Sequence, residues 1–206
     1  MKTFIIHTKS QVDREANLIQ LLQNYDEVTI VSGVIPSWID NPADKAMLGC
    51  SLSHINIVHD NIDQASILVL ENDAAIIKEN VSYVLNSEIP SDCGVILMGE
   101  WPNTTKHNIS KYKDTIYHEI QAPFFGTQAV WYNTKLLKNT DFLINSYKVI
   151  SSNKVGKDGI CLESILMQAL KNTGLKIYRP DKMLYTTIES ISLRTGTIMH
   201  ASLSTD

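Results

Sequence analysis

Residues 66–73 read Ser66-Ile67-Leu68-Val69-Leu70-Glu71-Asn72-Asp73, an apolar run that ends in two carboxylates. Such an uninterrupted run is typical of a strand buried on both faces, as at the centre of a parallel sheet. Alternate side chains of an extended chain share a face, so Glu71 and Asp73 are predicted to point the same way. Two carboxylates there can hold a divalent cation that carries a phosphate ligand. Alternatively the acids only end the strand, and spacing alone does not decide.

Predicted strands and helices alternate along the 206 residues of the chain. This alternation indicates an α/β fold with a mostly parallel sheet, and the length fits a single domain over residues 1–206. The polar stretch 101–114 is predicted to be a mobile loop, and the strands at 116–120 and 126–132 are predicted to pair. Further strands are predicted at 3–6, 28–31, 94–99 and 176–178, and helices at 12–24, 45–62, 76–85, 134–145 and 159–171.

Two helices carry apolar residues at helical spacing. In the first, the recurring set is Val12, Ala16, Ile19 and Leu22. In the second, His59 falls within the apolar stripe and is predicted to be a packed histidine, whereas His54 lies off the stripe beside Cys50 and faces a cleft or solvent. That stripe consists of Leu48, Leu52, Ile55 and Ile62.

Composition excludes several classes of protein. The net charge is −4 and the pI is about 5.8, which lacks the basic footprint of a general nucleic-acid binder, although a local basic groove is compatible with it. Cys50, Cys93 and Cys161 form no CxxC pair, so neither a zinc site nor a disulfide framework is predicted. The apolar start is too short for a signal peptide, which favours a cytoplasmic protein. Walker, GxGxxG and GxSxG motifs are absent from the sequence.

Two segments together resemble a known family. Gly49-Cys50-Ser51-Leu52-Ser53-His54, followed by Ile67-Leu68-Val69-Leu70-Glu71-Asn72-Asp73, is similar to the GCxxSH…(I/V)LEDD signature of glycosyltransferase family 25. That family includes lipopolysaccharide galactosyl- and glucosyltransferases and procollagen galactosyltransferases. Ile5-Ile6-His7 with Asp13-Arg14, and Gly126-Thr127-Gln128-Ala129, resemble further family segments. The similarity extends over residues 3–192.

The resemblance implies a GT-A-like, Rossmann-type sandwich whose central sheet is flanked by helices. It also implies inverting, metal-assisted transfer of a hexose or pentose from a nucleoside-diphosphate sugar, such as a UDP-sugar, to an acceptor hydroxyl. The implied acceptor is a saccharide such as lipooligosaccharide. The implied cofactor is Mn²⁺ or Mg²⁺, which offsets the charge that builds on the leaving diphosphate.

The resemblance assigns roles to individual residues. Glu71, Asp73 and a late His200 would hold the metal. An inverting transfer needs a base, for which Asp158 is the first candidate and Glu163 the second; Asp158 could instead cap a helix. The donor pocket would be formed by Thr8, Lys9, Arg14, Ser53, His54, Glu71, Asn72, Gly126 and Thr127.

The sequence departs from the family pattern at Asn72, where the family has an acid, and at Glu15, where it has arginine. The loss of one acid puts metal binding in question, so a degenerate domain that binds a nucleotide sugar without turnover stays open. A phage-type enzyme that glycosylates hydroxymethylated pyrimidines in DNA is a third alternative. For that function, phosphate contacts would come from Lys106, His107, Lys111 and Lys113.

Overall fold

The computed structural model of the protein describes residues 1–99, 109–121, 126–152, 161–188, 190–191 and 198–199. Most of its strands lie where the apolar runs predict them. In chain order they are β1 (Lys2–His7), β2 (Val28–Ser32), β3 (Ile67–Glu71), β4 (Ala74–Ile76), β5 (Cys93–Leu97), β6 (Ile109–Lys111), β7 (Tyr117–Ile120), β8 (Ala129–Tyr132), β9 (Lys176–Pro180), β10 (Tyr185–Thr187), β11 (Ser190–Ile191) and β12 (Ile198–Met199).

The helices lie between these strands and flank the sheet. The first is preceded by a 3-10 turn at Val12–Arg14. None of the helices in the described part of the chain is long and apolar enough to cross a membrane. They are α1 (Glu15–Gln23), α2 (Pro42–Asp60), α3 (Lys78–Leu85), α4 (Thr134–Leu137), α5 (Phe142–Ser152) and α6 (Leu162–Leu170).

The described strands form an eight-stranded mixed sheet in the order β2-β1-β3-β8-β5-β9-β7-β6. Only β8 and β7 run against the other six strands. Strand β3 lies between β1 and β8, and Ile67, Val69 and Leu70 are fully buried. The predicted α/β class, with a mostly parallel central sheet, is therefore confirmed. Two small antiparallel pairs, β4 with β10 and β11 with β12, stand apart from this sheet.

Helix α1 forms where it is predicted but turns a different face to the protein. Val12, Ile19 and Leu22 are exposed, whereas Arg14 and Asn17 are buried. The buried polar residues contact the turn that follows β3, so hydrogen bonding to that turn, rather than the apolar spacing, sets the rotation of the helix.

Three further expectations are corrected. Strands β7 and β8 do not pair with each other, because β7 lies between β9 and β6 while β8 lies between β3 and β5. The helix predicted at 134–145 is split into α4 and α5 by a turn in which Thr140 Oγ1 accepts from the Phe142 amide at 3.2 Å. The predicted loop at 101–114 contains β6 in its described part, and its residues 101–108 lie outside the described chain.

Candidate active site

A cavity of about 370 Å³ lies where three neighbouring parallel strands end. Thr8 follows β1, Gly33 follows β2 and Asn72 follows β3, and all three line it. A crevice beyond the carboxyl ends of parallel strands is the usual ligand site of α/β sheets. The cavity wall is completed by Ile6, Ser10, Gln11, Arg14, Val34, Ile35, Pro42, Lys45, Ala46, Met47, Gly49, Cys50, Ser53, Glu71, Asp73, Gly126, Thr127, Gln128, Cys161, Leu162 and Glu163.

Two glycines of the predicted motifs allow close backbone approach at this wall. A Cβ atom at Gly49 would lie 2.3 Å from the carbonyl oxygen of Val34, so only glycine lets α2 approach the loop after β2. Gly126 has a φ of +134°, and a Cβ atom there would lie 2.3 Å from the Gly99 carbonyl oxygen. Ser53 stabilises the contact between α2 and the loop after β2, since its Oγ accepts a hydrogen bond from the Val34 amide at 2.8 Å.

One end of the wall is built around a buried ion pair. Arg14 Nη1 lies 3.0 Å from Asp73 Oδ2 and also donates to Asn72 Oδ1 at 3.0 Å. The two charged side chains are 6% and 7% exposed. Burial raises the pKa of Asp73, and the Arg14 guanidinium opposes that rise. The remaining oxygen, Asp73 Oδ1, is buried and has no hydrogen-bond partner among the described residues.

Polar side chains hold the turn that carries Asn72 and Asp73. The Asn72 Nδ2 group donates to Gln11 Oε1 at 3.1 Å and lies 3.0 Å from His7 Nδ1. Asn17 Nδ2 donates to the carbonyl oxygens of Asn72 and Ala74 at 2.9 and 2.8 Å. The amide of Asn72 can both donate and accept, which a carboxylate cannot do. The substitution that departs from the family pattern is therefore matched to its surroundings.

The other end of the wall is built around Glu71. Its Oε1 accepts from Cys50 Sγ, a weak donor, at 3.4 Å and from Thr127 Oγ1 at 3.3 Å, which is long for a hydroxyl donor. Burial, with the nearby Asp73 charge, raises the pKa of Glu71 to about 8. Burial and the Glu71 charge likewise raise the pKa of the Cys50 thiol well above its usual value. An uncharged Glu71 and thiol are accordingly favoured when nothing is bound.

His54 lies behind Glu71 and is fully buried. Its Nδ1 is 3.0 Å from the Tyr132 hydroxyl, and its Nε2 is 4.0 Å from Glu71 Oε1. The Nε2 atom has no hydrogen-bond partner in the described part of the chain. Burial lowers the pKa of His54 to about 3, so the imidazole is neutral near pH 7.

The cavity wall contains most of the residues predicted for the site. His54 lies just behind the wall, and Lys9 is exposed outside the described lining. Asp158 and His200 lie outside the described residues. The prediction that His59 is packed is wrong, because its side chain is 60% exposed and pairs with Asp60. The predicted residues that line the wall are Thr8, Arg14, Ser53, Glu71, Asn72, Asp73, Gly126, Thr127 and Glu163.

Sequence reasoning missed several residues that build the site. Two of them left a signal, since Asn17 follows Arg14 by three positions and His54 follows Cys50 by four, spacings that place side chains on one helix face. His7, Gln11 and Gln128 lie within three positions of predicted site residues, whereas Tyr132 left no signal. The residues missed as site members are His7, Gln11, Asn17, Cys50, Gln128 and Tyr132.

Among the described residues, two sets of side chains have ligand atoms that suit a metal ion. Glu71 and Asp73 offer carboxylate oxygens, the ligands that Mn²⁺ and Mg²⁺ prefer, and the unpartnered Asp73 Oδ1 is suited to such an ion. Cys50, His54 and Glu71 form a mixed set, in which one ligand atom from each lies within 4.8 Å of the others. Glu71 belongs to both sets.

No protein-family model matches the chain, and no curated protein matches it. Among solved structures, it is similar to a glycosyltransferase involved in the glycosylation of the major capsid of PBCV-1, at 9% identity and a TM-score of 0.53 over 95% of this chain and 97% of that one. Weaker likenesses are to A197 from STIV (11% identity, 97% and 94% coverage, TM-score 0.47) and to the galactosyltransferase LgtC with donor and acceptor sugar analogs (12%, 87% and 73%, 0.46).

The likeness to the PBCV-1 enzyme shows a shared fold, which is the predicted GT-A-like fold. At this identity it says nothing about the roles of residues in this chain. Membership of family 25 stays a prediction, since no family model matches.

Proposed function

We propose that the chain is a nucleotide-sugar-dependent glycosyltransferase. Under this proposal a hexose or pentose passes from a nucleoside-diphosphate sugar, of which a UDP-sugar is the first candidate, to an acceptor hydroxyl. One observation carries it: a cavity at the carboxyl ends of β1, β2 and β3 brings together a buried arginine and several carboxylates. A GT-A-like fold with its ligand site at this edge agrees with the proposal.

The donor diphosphate is proposed to lie against Arg14. A planar guanidinium suits phosphate oxygens, and Arg14 is already oriented by its contacts with Asp73 and Asn72. Glu71 and Asp73 would hold Mn²⁺ or Mg²⁺, which would offset charge on the leaving diphosphate. His200 is a further proposed ligand. Thr8, Ser53, Gly126 and Thr127 are the proposed remainder of the donor pocket near this wall.

The acceptor hydroxyl needs a base on the side opposite the leaving group. Asp158 and Glu163 are the proposed candidates, and of these Glu163 is the one whose position is described. Glu163 lines the cavity in the first turn of α6 and is buried. The amino end of a helix carries a partial positive charge, which favours a carboxylate at this position.

A thermal-shift panel of nucleotide sugars, with Mn²⁺ and with EDTA, tests donor binding. At a hundredfold excess over Kd, the correct donor is expected to raise Tm by roughly 5–10 °C. Glu71→Gln is expected to remove the Mn²⁺-dependent part of the shift. The control His59→Gln, on the exposed side of α2, should behave as wild type. A panel in which every sugar nucleotide leaves Tm unchanged would contradict the proposal.

Donor hydrolysis separates an enzyme from a domain that only binds. Turnover with Mn²⁺ is expected to be lost with EDTA and in Asp73→Ala. Because Asp73→Ala also removes the partner of Arg14, the milder variant Asp73→Asn is measured beside it. Donor binding without turnover under all conditions would favour the degenerate binding domain.

The first proposed acceptor is a saccharide, with lipooligosaccharide as the example. The second proposed acceptor is DNA that contains hydroxymethylated pyrimidines, and a stripe of basic residues favours it. Lys111 on β6, His118 on β7 and Arg179 on β9 lie directly opposite one another across three adjacent strands and therefore share a face of the sheet. Burial, together with Arg179, lowers the pKa of His118, so Lys111 and Arg179 supply the positive charge of the stripe near neutral pH. Lys113, two residues after Lys111, is also exposed.

Salt dependence distinguishes the two acceptors. DNA binding through the basic stripe should weaken steeply as salt rises, and Lys111→Glu should reduce both the affinity and the salt slope. Binding of a neutral oligosaccharide should change little in either case. Absence of DNA binding at low salt would remove the second acceptor.

A further inference from the structure

Cys50 and His54 lie one helical turn apart on α2, so their side chains share a face. Glu71, the last residue of β3, lies opposite them. Cys50 Sγ is 3.4 Å from Glu71 Oε1, and His54 Nε2 is 4.0 Å from the same oxygen. Ligands about 2.0–2.3 Å from a tetrahedral Zn²⁺ lie roughly 3.3–3.8 Å apart, so small side-chain movements would complete such a site.

The orientation of His54 points independently to a ligand. Tyr132 can accept the Nδ1 proton at 3.0 Å, which leaves a lone pair on Nε2. That atom is buried, aimed towards Glu71 and without a hydrogen-bond partner among the described residues. Buried polar atoms in native proteins nearly always have a partner. A histidine whose second nitrogen is held by another side chain is also the usual arrangement at protein metal sites.

We infer that Cys50, His54 and Glu71 form a site for a borderline-soft divalent cation, of which Zn²⁺ is the best fit. Sulfur and imidazole nitrogen favour zinc, whereas Mg²⁺ and Mn²⁺ favour oxygen ligands. Cys50 and Glu71 line the cavity, so a fourth coordination position would face it. The sequence predicted no zinc site because it contains no CxxC pair. The set found here instead combines Cys50 and His54, spaced Cys-x-x-x-His on one helix, with Glu71 from a strand distant in sequence.

The inference does not depend on the proposed glycosyl transfer. Zinc would bind Cys50 as a thiolate and Glu71 as a carboxylate, and the protons released from both groups would go to solvent, so affinity should rise with pH. Because Glu71 would serve both cation sets, Zn²⁺ and Mn²⁺ should compete for the chain. Competition between the two ions is measurable whether or not a sugar is transferred.

Titration of the EDTA-treated full chain with Co²⁺ tests the site. Co²⁺ bound to a thiolate gives a near-ultraviolet charge-transfer band. We expect the band in wild type and its loss on addition of Zn²⁺. Cys50→Ser should abolish the band, and His54→Gln should weaken Co²⁺ binding by more than about tenfold.

Matched variants keep the test decisive. Cys161→Ser removes a second thiol of the cavity wall and should leave the band intact, as should His59→Gln on the same helix. Circular dichroism and Tm establish that each variant is folded. The inference is overturned if wild type gives no band, if Cys50→Ser keeps it, or if Cys161→Ser loses it. A donor-binding panel without any hit would leave all these outcomes unchanged.

Discussion

The two ends of the cavity wall, only two residues apart in sequence, are satisfied to different degrees. At Asp73 the charge is paired with Arg14 at 3.0 Å, and Asn72 and Asn17 complete the network with bonds of 3.1 Å or less. At Glu71 the described donors are a thiol, which is a weak donor, at 3.4 Å and a hydroxyl at the long distance of 3.3 Å. The Asp73 end is held by a charge pair, although Asp73 Oδ1 has no hydrogen-bond partner among the described residues. The Glu71 end is held by one weak and one long hydrogen bond.

This difference indicates that Asp73 and Glu71 have different roles, one structural and one in ligand binding. A buried ion pair with several hydrogen bonds fixes the turn after β3, because removing either charge would leave the other unpaired. A carboxyl whose pKa is raised to about 8, beside an unpartnered imidazole nitrogen, gains most from a bound cation. The Asp73 end thus holds the architecture, and the Glu71 end is where ligand binding changes charge.

The largest expected effect comes from breaking the Asp73 end with Arg14→Gln. Asp73 would keep a buried charge without its cation, and the free energy of unfolding should fall by about 3–5 kcal/mol at pH 7. The loss should be smaller at pH 5, since loss of Arg14 raises the pKa of Asp73 further and allows it to protonate. Urea denaturation at both pH values measures this.

Lys176 provides the control, because it forms an ion pair with Glu119 at 2.8 Å while 40% exposed. Lys176→Gln should cost less than about 1 kcal/mol. The double variant Arg14→Gln/Asp73→Asn should recover much of the stability lost in Arg14→Gln. If Arg14→Gln costs no more than Lys176→Gln, the Asp73 end is not the anchor described.

Asn17→Ala tests the neutral hydrogen bonds that stabilise the Asp73 end. Two bonds to backbone carbonyl oxygens would be lost, at an expected cost of about 2 kcal/mol. Asn24→Ala is the matched change at the residue that follows the same helix, where an exposed side-chain amide donates to the Gln20 carbonyl oxygen, and it should cost less than about 0.5 kcal/mol. Equal effects of the two variants in urea denaturation would argue against a buried role for Asn17.

The sequence predicted the backbone of this region better than its contacts. The apolar run of β3 identifies a central buried strand, because burial on both faces requires such residues at every position. The rotation of α1 was not predictable from apolar spacing, since Arg14 and Asn17 face inwards to bond to the turn after β3. That turn lies more than fifty residues away, and only the folded chain brings it near.

A smaller effect is expected at the Glu71 end and depends on pH. The folded state holds the Glu71 proton up to about pH 8, whereas an unfolded glutamate loses it near 4.5, so stability should fall as pH rises between these values. His54, with a pKa lowered to about 3 against an ordinary 6.5, changes stability only below 6.5. The window from pH 6.5 to 8 therefore excludes the contribution of His54, and comparison with a Glu71 variant separates Glu71 from the other groups.

Over this window and in EDTA, wild type should lose up to about 2 kcal/mol relative to Glu71→Gln, which has no proton to release. This stability difference is an upper limit because the Glu71 side chain is 25% exposed and solvent screens its charge. Urea denaturation of both proteins at the two pH values gives the difference. Parallel pH profiles would mean that Glu71 is already ionised without a cation.

His54 shows where sequence reasoning about the site reached its limit. The helical wheel separated His54 from His59 but assigned the packed role to His59, since a stripe of apolar residues does not reveal which face the sheet covers. The buried face of α2 also carries Ser51 and Ser53, whose hydroxyl groups donate to the Met47 and Gly49 carbonyl oxygens. Polar residues that bond within their own helix are invisible to an apolar pattern.

Tyr132→Phe is expected to cost little stability and tests directly whether the Tyr132 hydroxyl orients His54. The ring stays buried, and only the hydroxyl that bonds to His54 Nδ1 is lost, at a cost of about 1 kcal/mol. Without that partner His54 can rotate or change tautomer, so Co²⁺ affinity should fall by about 10–100-fold. Tyr147→Phe is the matched variant, because its hydroxyl donates to Asn56 Oδ1 on the same helix. It should cost similar stability and leave Co²⁺ affinity unchanged; if both variants weaken Co²⁺ binding equally, the hydroxyl of Tyr132 does not orient a metal ligand.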